Sequence, residues 1–279
     1  MSDTERYVRP LSAESRGEAP GRGRLVGRRI LVVGGGQQTL DPETDPVGNG
    51  RAMSILFARE GAKVAVADRD AASAEATTAL IRAEGGEALI VQADISNESD
   101  VVRMIAEATE GLGGLDGLVL NVGIGLGGLG LAAVQADQWD TVLAVNLRGP
   151  MLCCREALPK LADGSPIVFI SSIAGLVAGS RLPAYDASKA ALGGLMRHVA
   201  LEGSRKGVRA NIIAPGLVDT PLGRAASRGR PSRARAPVPF GRQATAWEIA
   251  YAALFFVSDE SVYVTGQILA VDSGLTGIS

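Results

Sequence analysis

The feature that most constrains the fold of this chain is the alternation of short apolar segments with longer helical patterns between residues 29 and 271. Each apolar segment has the length and composition of a buried strand, and each helical pattern is long enough for a crossover between parallel strands. The alternation predicts an α/β fold with one doubly wound parallel sheet of seven strands and helices on both faces. The predicted strands are 30–33, 63–67, 88–92, 117–120, 167–170, 209–213 and 267–271.

The domain organisation follows from the length and from one change in composition. The chain has 279 residues, and no linker is visible after residue 28, so residues 28–279 are predicted to form a single domain. Residues 1–27 alternate charged residues with glycine and proline and lack the apolar core of a signal peptide, which predicts a mobile extension. Residues 117–136 are uncharged but rich in glycine, which favours a strand and a loop over a membrane span.

Charge and cysteine usage exclude several classes of partner. The net charge is −2, and basic residues do not alternate with aromatic ones, so no nucleic acid is expected. The chain has one histidine, His198, and two adjacent cysteines, Cys153 and Cys154, whose spacing suits neither a metal site nor a disulfide framework. We therefore expect a cytoplasmic protein that binds no metal and does not enter a membrane.

A tyrosine and a lysine four residues apart are the first candidate catalytic pair. Tyr185 and Lys189 share one face of a predicted helix, and a nearby cation stabilises phenolate and lowers the pKa of a tyrosine. Ser172 ends an apolar run, so a buried parallel strand would present its hydroxyl at the carboxyl edge of the sheet. The three residues predict a general acid/base with a hydrogen-bond donor beside it.

Glycine-rich sequence follows the first predicted strand and predicts a nucleotide phosphate site. Gly34 follows the strand, and Gly48, Asn49 and Gly50 open the next helix, where backbone N–H groups and the helix dipole favour a pyrophosphate. Residues 37–47 separate the two parts and form an insertion of about ten residues with three acidic side chains. Because acids repel a pyrophosphate, we expect the insertion to turn away from it or to cover the adenosine side.

Polar residues at the ends of the next strands complete the predicted cofactor site, which is Rossmann-like. Asp68 can accept both ribose hydroxyls of NAD and would repel the 2′-phosphate of NADP, whereas Arg69 could bind that phosphate. This favours NAD over NADP. Asp94, followed by Ile95, could hold the adenine amino group or cap the following helix. Asn121 and Gly123 lie after the fourth strand, where small residues let the backbone contact the cofactor.

With these motifs in place, residues 27–274 resemble the short-chain dehydrogenase/reductase family. Ser172, Tyr185 and Lys189 match its catalytic residues at the usual spacing, and Asn146 matches the asparagine that completes a tetrad. The resemblance implies that Asn146 holds a water molecule next to Lys189. Further positions match the segment that holds the nicotinamide carboxamide in the family: Pro215, Gly216, Val218 and Thr220. The chain departs from the family pattern at Val33 and Val122 and in the insertion.

The resemblance implies an oxidoreductase that transfers a hydride between NAD and a small secondary alcohol or ketone. Ser172 would orient the substrate oxygen, Tyr185 would exchange its proton, and Lys189 would bind the nicotinamide ribose. Family members commonly form tetramers through the helices predicted at 137–160 and 184–206, so a homotetramer is expected.

Two other functions remain open. Residues 221–242, the predicted substrate lid, carry six arginines and no acid. Such a segment would attract an anionic substrate, as in an NADPH-dependent 3-oxoacyl thioester reductase, or it would be a solvated mobile lid. The third possibility is a catalytically silent, nucleotide-binding regulatory protein whose insertion has ended turnover.

Overall fold

The fold centres on a parallel sheet in the computed structural model, which describes residues 7–41, 43–227 and 238–278. The strands of this sheet are β1 (Arg29–Val33), β2 (Lys63–Asp68), β3 (Ala88–Gln92), β4 (Gly117–Leu120), β5 (Pro166–Ile170), β6 (Arg209–Pro215) and β9 (Ile268–Val271). Their order is β3-β2-β1-β4-β5-β6-β9. The predicted α/β fold and its seven strands are confirmed. A separate pair of short strands, β7 (Val218–Asp219) and β8 (Ala244–Thr245), lies outside this sheet.

Helices cover both faces of the sheet. They are α1 (Ala13–Arg16), α2 (Asn49–Arg59), α3 (Ala71–Ala83), α4 (Glu98–Leu112), α5 (Ala136–Leu143), α6 (Gly149–Ala157), α7 (Pro183–Gly203), α8 (Pro221–Ser227) and α9 (Ala246–Val257). One apolar core lies between the sheet and α4, α6 and α7, and the other lies between the sheet and α2, α3 and α9. No helix among the described residues is long and apolar enough to cross a membrane.

The strand order reverses between β1 and β4, and this reversal positions the site. Val33 and Leu120 are register partners at the carboxyl ends of these two strands. The residues that follow, Gly34 and Asn121, therefore lie side by side, and Asn121 Nδ2 donates to the Gly34 carbonyl at 2.8 Å. In an open parallel sheet this crevice is where ligands bind.

The helix predicted at 137–160 contains a wide turn in its middle. Helices α5 and α6 are joined by a π-helical stretch, Ala144–Arg148, in which the Gly149 N–H donates to the carbonyl five residues earlier, at Ala144. Pro150 has no N–H to give to the carbonyl of Asn146, so the regular α-helical pattern cannot continue there. The turn centres on Asn146, one of the predicted site residues.

The amino-terminal segment differs from the mobile extension that the sequence predicts. Residues 7–27 lie on the domain, and residues 1–6 fall outside the described part of the chain. Ser15 donates to Glu248 Oε1 at 2.9 Å, and Leu25 is fully buried. Arg24 forms an ion pair with Glu60, whose side chain is completely buried. The composition of this segment predicted mobility because its carboxylate partners, Glu60 and Glu248, are distant in sequence and could not be identified from it.

Candidate active site

The candidate active site lies at the carboxyl edge of the sheet, after strands β1, β4, β5 and β6. Ser172 is the second residue after β5 and has extended backbone geometry, with φ at −165°. Its hydroxyl oxygen accepts a hydrogen bond from the Ala174 N–H at 3.2 Å. The strand therefore delivers a half-buried hydroxyl to this edge, as predicted from the apolar run that precedes it.

Tyr185 and Lys189 lie in the first two turns of α7, which begins at Pro183. Lys189 is buried, with 4% of its surface exposed, and its Nζ donates to the Ile170 carbonyl at 3.0 Å. The same nitrogen lies 5.7 Å from the centre of the Tyr185 ring. Burial lowers the pKa of Lys189 to about 8, because a charged amine loses its hydration there. A cation is thus held beside a half-buried phenol.

Asn146 joins three segments around this pair. It is completely buried in the π-helical turn, and its Nδ2 donates to the Ile124 carbonyl at 2.8 Å and to Ser188 Oγ at 3.0 Å. Its Oδ1 accepts from the Ile124 N–H at 2.8 Å. The amide therefore holds the loop after β4 against α7, one residue before Lys189.

The glycine turn after β1 is packed so closely that only backbone fits. Gly34 has a left-handed φ of +77°, and a Cβ added at Gly50 would lie 1.8 Å from the Gly34 carbonyl oxygen. The first turn of α2 thus rests directly on the glycine turn. A Cβ at Gly123 would lie 2.8 Å from Lys189 Nζ. Asn49 Oδ1, also in the first turn of α2, is buried without a hydrogen-bond partner. The cradle has the shape and N–H groups that a pyrophosphate needs.

Asp68 and Arg69 sit differently at the end of β2. Asp68 is half-buried, and its carboxylate accepts hydrogen bonds from the Gly36 N–H and the Asp70 N–H, each at 3.1 Å. It therefore lies against the glycine turn. Arg69 is exposed, and its carbonyl accepts from Gln92 Nε2.

Asp94 and Ile95 are occupied by contacts within the protein. The Asp94 carboxylate accepts from the N–H and the hydroxyl of Ser96, so it stabilises the turn before α4. The cap of α4 itself is Asn97. Ile95 is buried, and its side chain packs where α6 begins at Gly149. Their assignment to the cofactor stays a prediction.

The segment after β6 bends back toward the site. Gly216 donates to the Val271 carbonyl at 3.0 Å and packs against Asp272, where a Cβ would lie 2.7 Å from the Asp272 Cβ. Val218 belongs to β7 and pairs with β8. Thr220 is buried, and its hydroxyl accepts from the Gly223 N–H, which caps α8. The assignment of these residues and of Pro215 to the nicotinamide carboxamide is a prediction that the geometry permits.

The inserted residues 37–47 form a loop with its own internal supports. Gln37 Oε1 accepts from the Gly48 N–H at 2.8 Å and closes the base of the loop. Asp45 accepts from two backbone N–H groups, and Asp41 accepts from the backbone and hydroxyl of neighbouring residues. The acidic side chains of Asp41 and Asp45 are therefore bonded within the loop. Pro42 lies outside the described residues.

The direction of this loop is set by a contact with α8. Arg224 in α8 donates from Nη1 to the Thr44 carbonyl at 2.8 Å, so the loop reaches the segment after Thr220. The same guanidinium holds Asp219 through two bonds of 2.7 and 2.9 Å. Asp41 and Asp45 are bonded within the loop, and Asp45 lies near the Arg224 guanidinium. That the insertion turns away from a pyrophosphate or covers the adenosine side stays a prediction.

Two residues around the site were missed from sequence, and a third, Arg224, was singled out only as one of the arginines of the predicted lid. Ser188 supports Asn146, Ser73 bonds to both backbone groups of Gln37, and Arg224 reaches the inserted loop. Ser188 stands beside the predicted Lys189, which is a weak hint. The other two act across long sequence separations that no local pattern reports.

Known proteins match the chain over most of its length. A family profile described as enoyl-(acyl carrier protein) reductase matches residues 46–276. Glucose 1-dehydrogenase of Gluconobacter oxydans is 35% identical over 265 residues, which cover 92% of this chain and 95% of that protein. Inactive 2-(S)-hydroxypropyl-CoM dehydrogenase 2 of Xanthobacter autotrophicus is 39% identical over 235 residues, which cover 81% of this chain and all of that protein.

A solved structure has the same fold. The short-chain dehydrogenase of Burkholderia cenocepacia in complex with NADP superposes with a TM-score of 0.81 at 31% identity. The match covers 90% of this chain and 98% of that one.

Proposed function

Because the chain belongs to the short-chain dehydrogenase/reductase family and is an NAD(P)-dependent oxidoreductase, we propose that Asn146, Ser172, Tyr185 and Lys189 carry its hydride transfer. The observation that carries the proposal is the buried Lys189 ammonium, 5.7 Å from the Tyr185 ring. A desolvated cation at that distance favours the phenolate form of Tyr185. The substrate is a secondary alcohol or a ketone.

Each residue of the tetrad has one task in this proposal. Tyr185 exchanges a proton with the substrate oxygen at its hydroxyl, and Ser172 donates a hydrogen bond to the same oxygen. Lys189 gives one N–H to Ile170 and has further N–H groups for the ribose of the cofactor. Asn146 keeps Lys189 and the loop after β4 in register and holds the water beside them. The nicotinamide cofactor, when bound, gives or takes the hydride.

The glycine turn and Asp68 support NAD as the preferred cofactor. Asp68 is already bonded to Gly36 at the turn, where a carboxylate repels a 2′-phosphate. Fluorescence titration of the purified protein with NADH and NADPH tests this preference. We expect tighter NADH binding, and Asp68→Asn should shift the ratio of the two affinities toward NADPH by about tenfold. Tighter NADPH binding by the unaltered protein contradicts the assignment.

The 3-oxoacyl thioester alternative depends on free arginines in residues 221–242. Arg224 pairs with Asp219, and Arg242 pairs with Glu248 at 2.6 Å, so both guanidinium groups have carboxylate partners. The other four, Arg228, Arg230, Arg233 and Arg235, lie outside the described residues. The described arginines thus favour a small alcohol or ketone over an anionic thioester.

An apolar groove supports the proposed homotetramer. Leu143, Leu147, Met151 and Leu195 line a groove of about 400 Å³ across α5, α6 and α7. Burial of such a surface against a second copy would stabilise an assembly. Sedimentation analysis of the protein and of Met151→Asp tests this, and a monomeric unaltered protein contradicts it.

The proposed cytoplasmic location rests on the two cysteines. Cys153 and Cys154 are buried and unbridged, and burial raises the pKa of Cys153 to about 12. Such thiols are unreactive packing residues and suit a reducing compartment.

Turnover is the decisive test of the proposed function. The purified protein should oxidise secondary alcohols with NAD and reduce the matching ketones with NADH, followed at the absorbance of the reduced nicotinamide. Cofactor binding without turnover of any alcohol, ketone or 3-oxoacyl thioester would instead support a silent regulatory protein.

A further inference from the structure

The wall beside Tyr185 contains almost no polar side chains. Residues 124–134 consist of glycine, alanine and aliphatic residues alone, and residues 173–179 are equally apolar. Several of these side chains are exposed to solvent by 41–80%, namely Leu126, Leu129, Leu131, Leu176 and Val177. An apolar patch of this kind on a single chain marks a surface that a ligand or partner covers.

The two segments lie together at the tyrosine. A Cβ added at Gly125 would lie 3.2 Å from Leu182 Cδ1 and 3.7 Å from Tyr185 Cδ2, which places the loop after β4 against the start of α7. The Gly130 N–H donates to the Arg181 carbonyl at 2.9 Å and joins this loop to the one after Ser172. A Cβ added at Gly175 would lie 2.7 Å from the Lys189 backbone, so residues 173–177 also pack on α7. Residues 124–131 and 173–177, the apolar wall, are therefore continuous with the proposed catalytic group.

Polar groups near the wall are few. The Ser180 hydroxyl donates to one oxygen of the Asp186 carboxylate. Gln138 Oε1 would lie 3.3 Å from a Cβ added at Gly127. Arg181 is exposed, with a left-handed φ of 63°, and it is the one charged residue within residues 173–182. The wall itself offers a substrate contact area but almost no hydrogen bonds.

We propose that the substrate is an apolar secondary alcohol or ketone, whose hydrocarbon body lies on this wall while its oxygen reaches Tyr185 and Ser172. The inference rests on the proposed function and adds the chemical class of the substrate. Burial of each methylene on the wall contributes about 0.8 kcal/mol, which is a factor of about 4 in kcat/KM.

A homologous series of ketones measures this directly. With NADH saturating, kcat/KM should rise about fourfold per methylene from 2-butanone to 2-heptanone, and alicyclic ketones should exceed ketones that carry a carboxylate. Leu176→Asn should flatten the slope. Leu80→Asn is the matched control, because Leu80 is a leucine of equal exposure, 45% against 44%, on α3.

The outcomes separate this inference from the proposed function. Two results overturn the apolar substrate and leave hydride transfer intact. One is turnover of 2-butanone with no rise of kcat/KM along the ketone series. The other is a preference for carboxylated ketones that Arg181→Gln abolishes. Cofactor binding with no turnover of any ketone overturns the proposed function itself.

A second inference concerns the inserted loop, residues 37–47, and stands on different contacts. The base of the loop is the glycine turn, where Gln37 bonds to Gly48 and Ser73. On its far side, the Thr44 carbonyl accepts a hydrogen bond from Arg224. Arg224 also bonds to Asp219, which lies three residues after Gly216. The loop thus connects the segment proposed for the pyrophosphate with the segment proposed for the nicotinamide.

The geometry points to a brace that slows release of the cofactor. Asp41 and Asp45 bond within the loop and support its shape, and the Thr44 carbonyl connects the loop to α8 through Arg224. A cofactor lying between the two segments would leave only after this bond has opened. Loss of the bond should therefore raise the dissociation rate more than it lowers the association rate.

Stopped-flow displacement of NADH measures this rate without any substrate. Arg224→Gln should release NADH at least tenfold faster than the unaltered protein. Arg242→Gln is the matched control, because Arg242 also pairs with a carboxylate in residues 221–242 but bonds to Arg9, Gln243 and Glu248 instead of the loop. Equal dissociation rates for all three proteins overturn the brace and leave cofactor binding itself untouched.

Discussion

The Tyr185–Lys189 side of the site and the glycine-turn side are held in place by different means. Lys189 and Asn146 are buried in the core, and each bonds to the backbone of another element. The loop of residues 37–47 is partly exposed and is supported by its own aspartates and by a few contacts at its base and far side. Core packing thus positions the proposed catalytic residues, whereas individual hydrogen bonds shape the inserted loop beside the proposed cofactor site.

Two hydrogen bonds hold the glycine turn in place next to the insertion. Gln37 closes the base across to Gly48, and Asn121 holds the Gly34 carbonyl from the neighbouring strand. The first turn of α2 therefore lies directly on the Gly34 carbonyl, with the inserted residues outside this contact.

The largest effect is expected on the core side, from Tyr185→Phe. Removing the hydroxyl should lower kcat at least 10²-fold, because no other group would then exchange the substrate proton. The Kd for NADH, measured by fluorescence, should stay within about twofold, since the ring and its contact with Lys189 are kept. Turnover near that of the unaltered protein would remove Tyr185 from the mechanism.

On the glycine side, Gly50→Ala should weaken cofactor binding by about 10- to 100-fold. The added Cβ would lie 1.8 Å from the Gly34 carbonyl oxygen, so the first turn of α2 must move. The movement should cost about 1–3 kcal/mol. Calorimetric titration with NADH reports the loss.

Gly194→Ala is the control for this substitution. Gly194 lies in α7, and nothing is within 4 Å of its added Cβ, so the alanine should raise the free energy of unfolding by about 0.5–1 kcal/mol. Equal NADH affinity in both variants would show that the glycine turn tolerates movement.

A smaller and opposite effect is expected from Lys189→Met, which should stabilise the protein while it abolishes turnover. The pKa of Lys189 is lowered from 10.5 to about 8 by burial, so the charged amine opposes folding at neutral pH. An apolar side chain of similar length should add about 1–3 kcal/mol to the free energy of unfolding at pH 7.

The pH dependence gives the sign of this effect. Between pH 8 and 10.5 the unfolded chain holds the Lys189 proton and the folded protein does not, so this residue makes stability rise with pH. The stability difference between Lys189→Met and the unaltered protein should therefore shrink across that window in urea titrations. A constant difference would contradict a buried, charged lysine.

The contacts of the amino-terminal segment and of the inserted loop could not be predicted from the sequence. Both contain several charged residues and prolines, and the expectations for both came from composition. Ser15 and Arg24 reach Glu248 and Glu60, and Arg224 reaches Thr44, across 36 to 233 positions. Pairing over such distances depends on which helices the core brings together.

The sequence by itself determined the sheet, its seven strands and the positions of Ser172, Tyr185 and Lys189 in the fold. Local periodicity and i, i+4 spacing are set by backbone geometry, so neighbouring residues suffice to predict them. Only the tertiary structure determined three features: the π-helical turn at Asn146, the course of residues 37–47 and the packing of residues 7–27 on the domain. These depend on hydrogen bonds between segments distant in the chain, whose partners meet only after the core has packed.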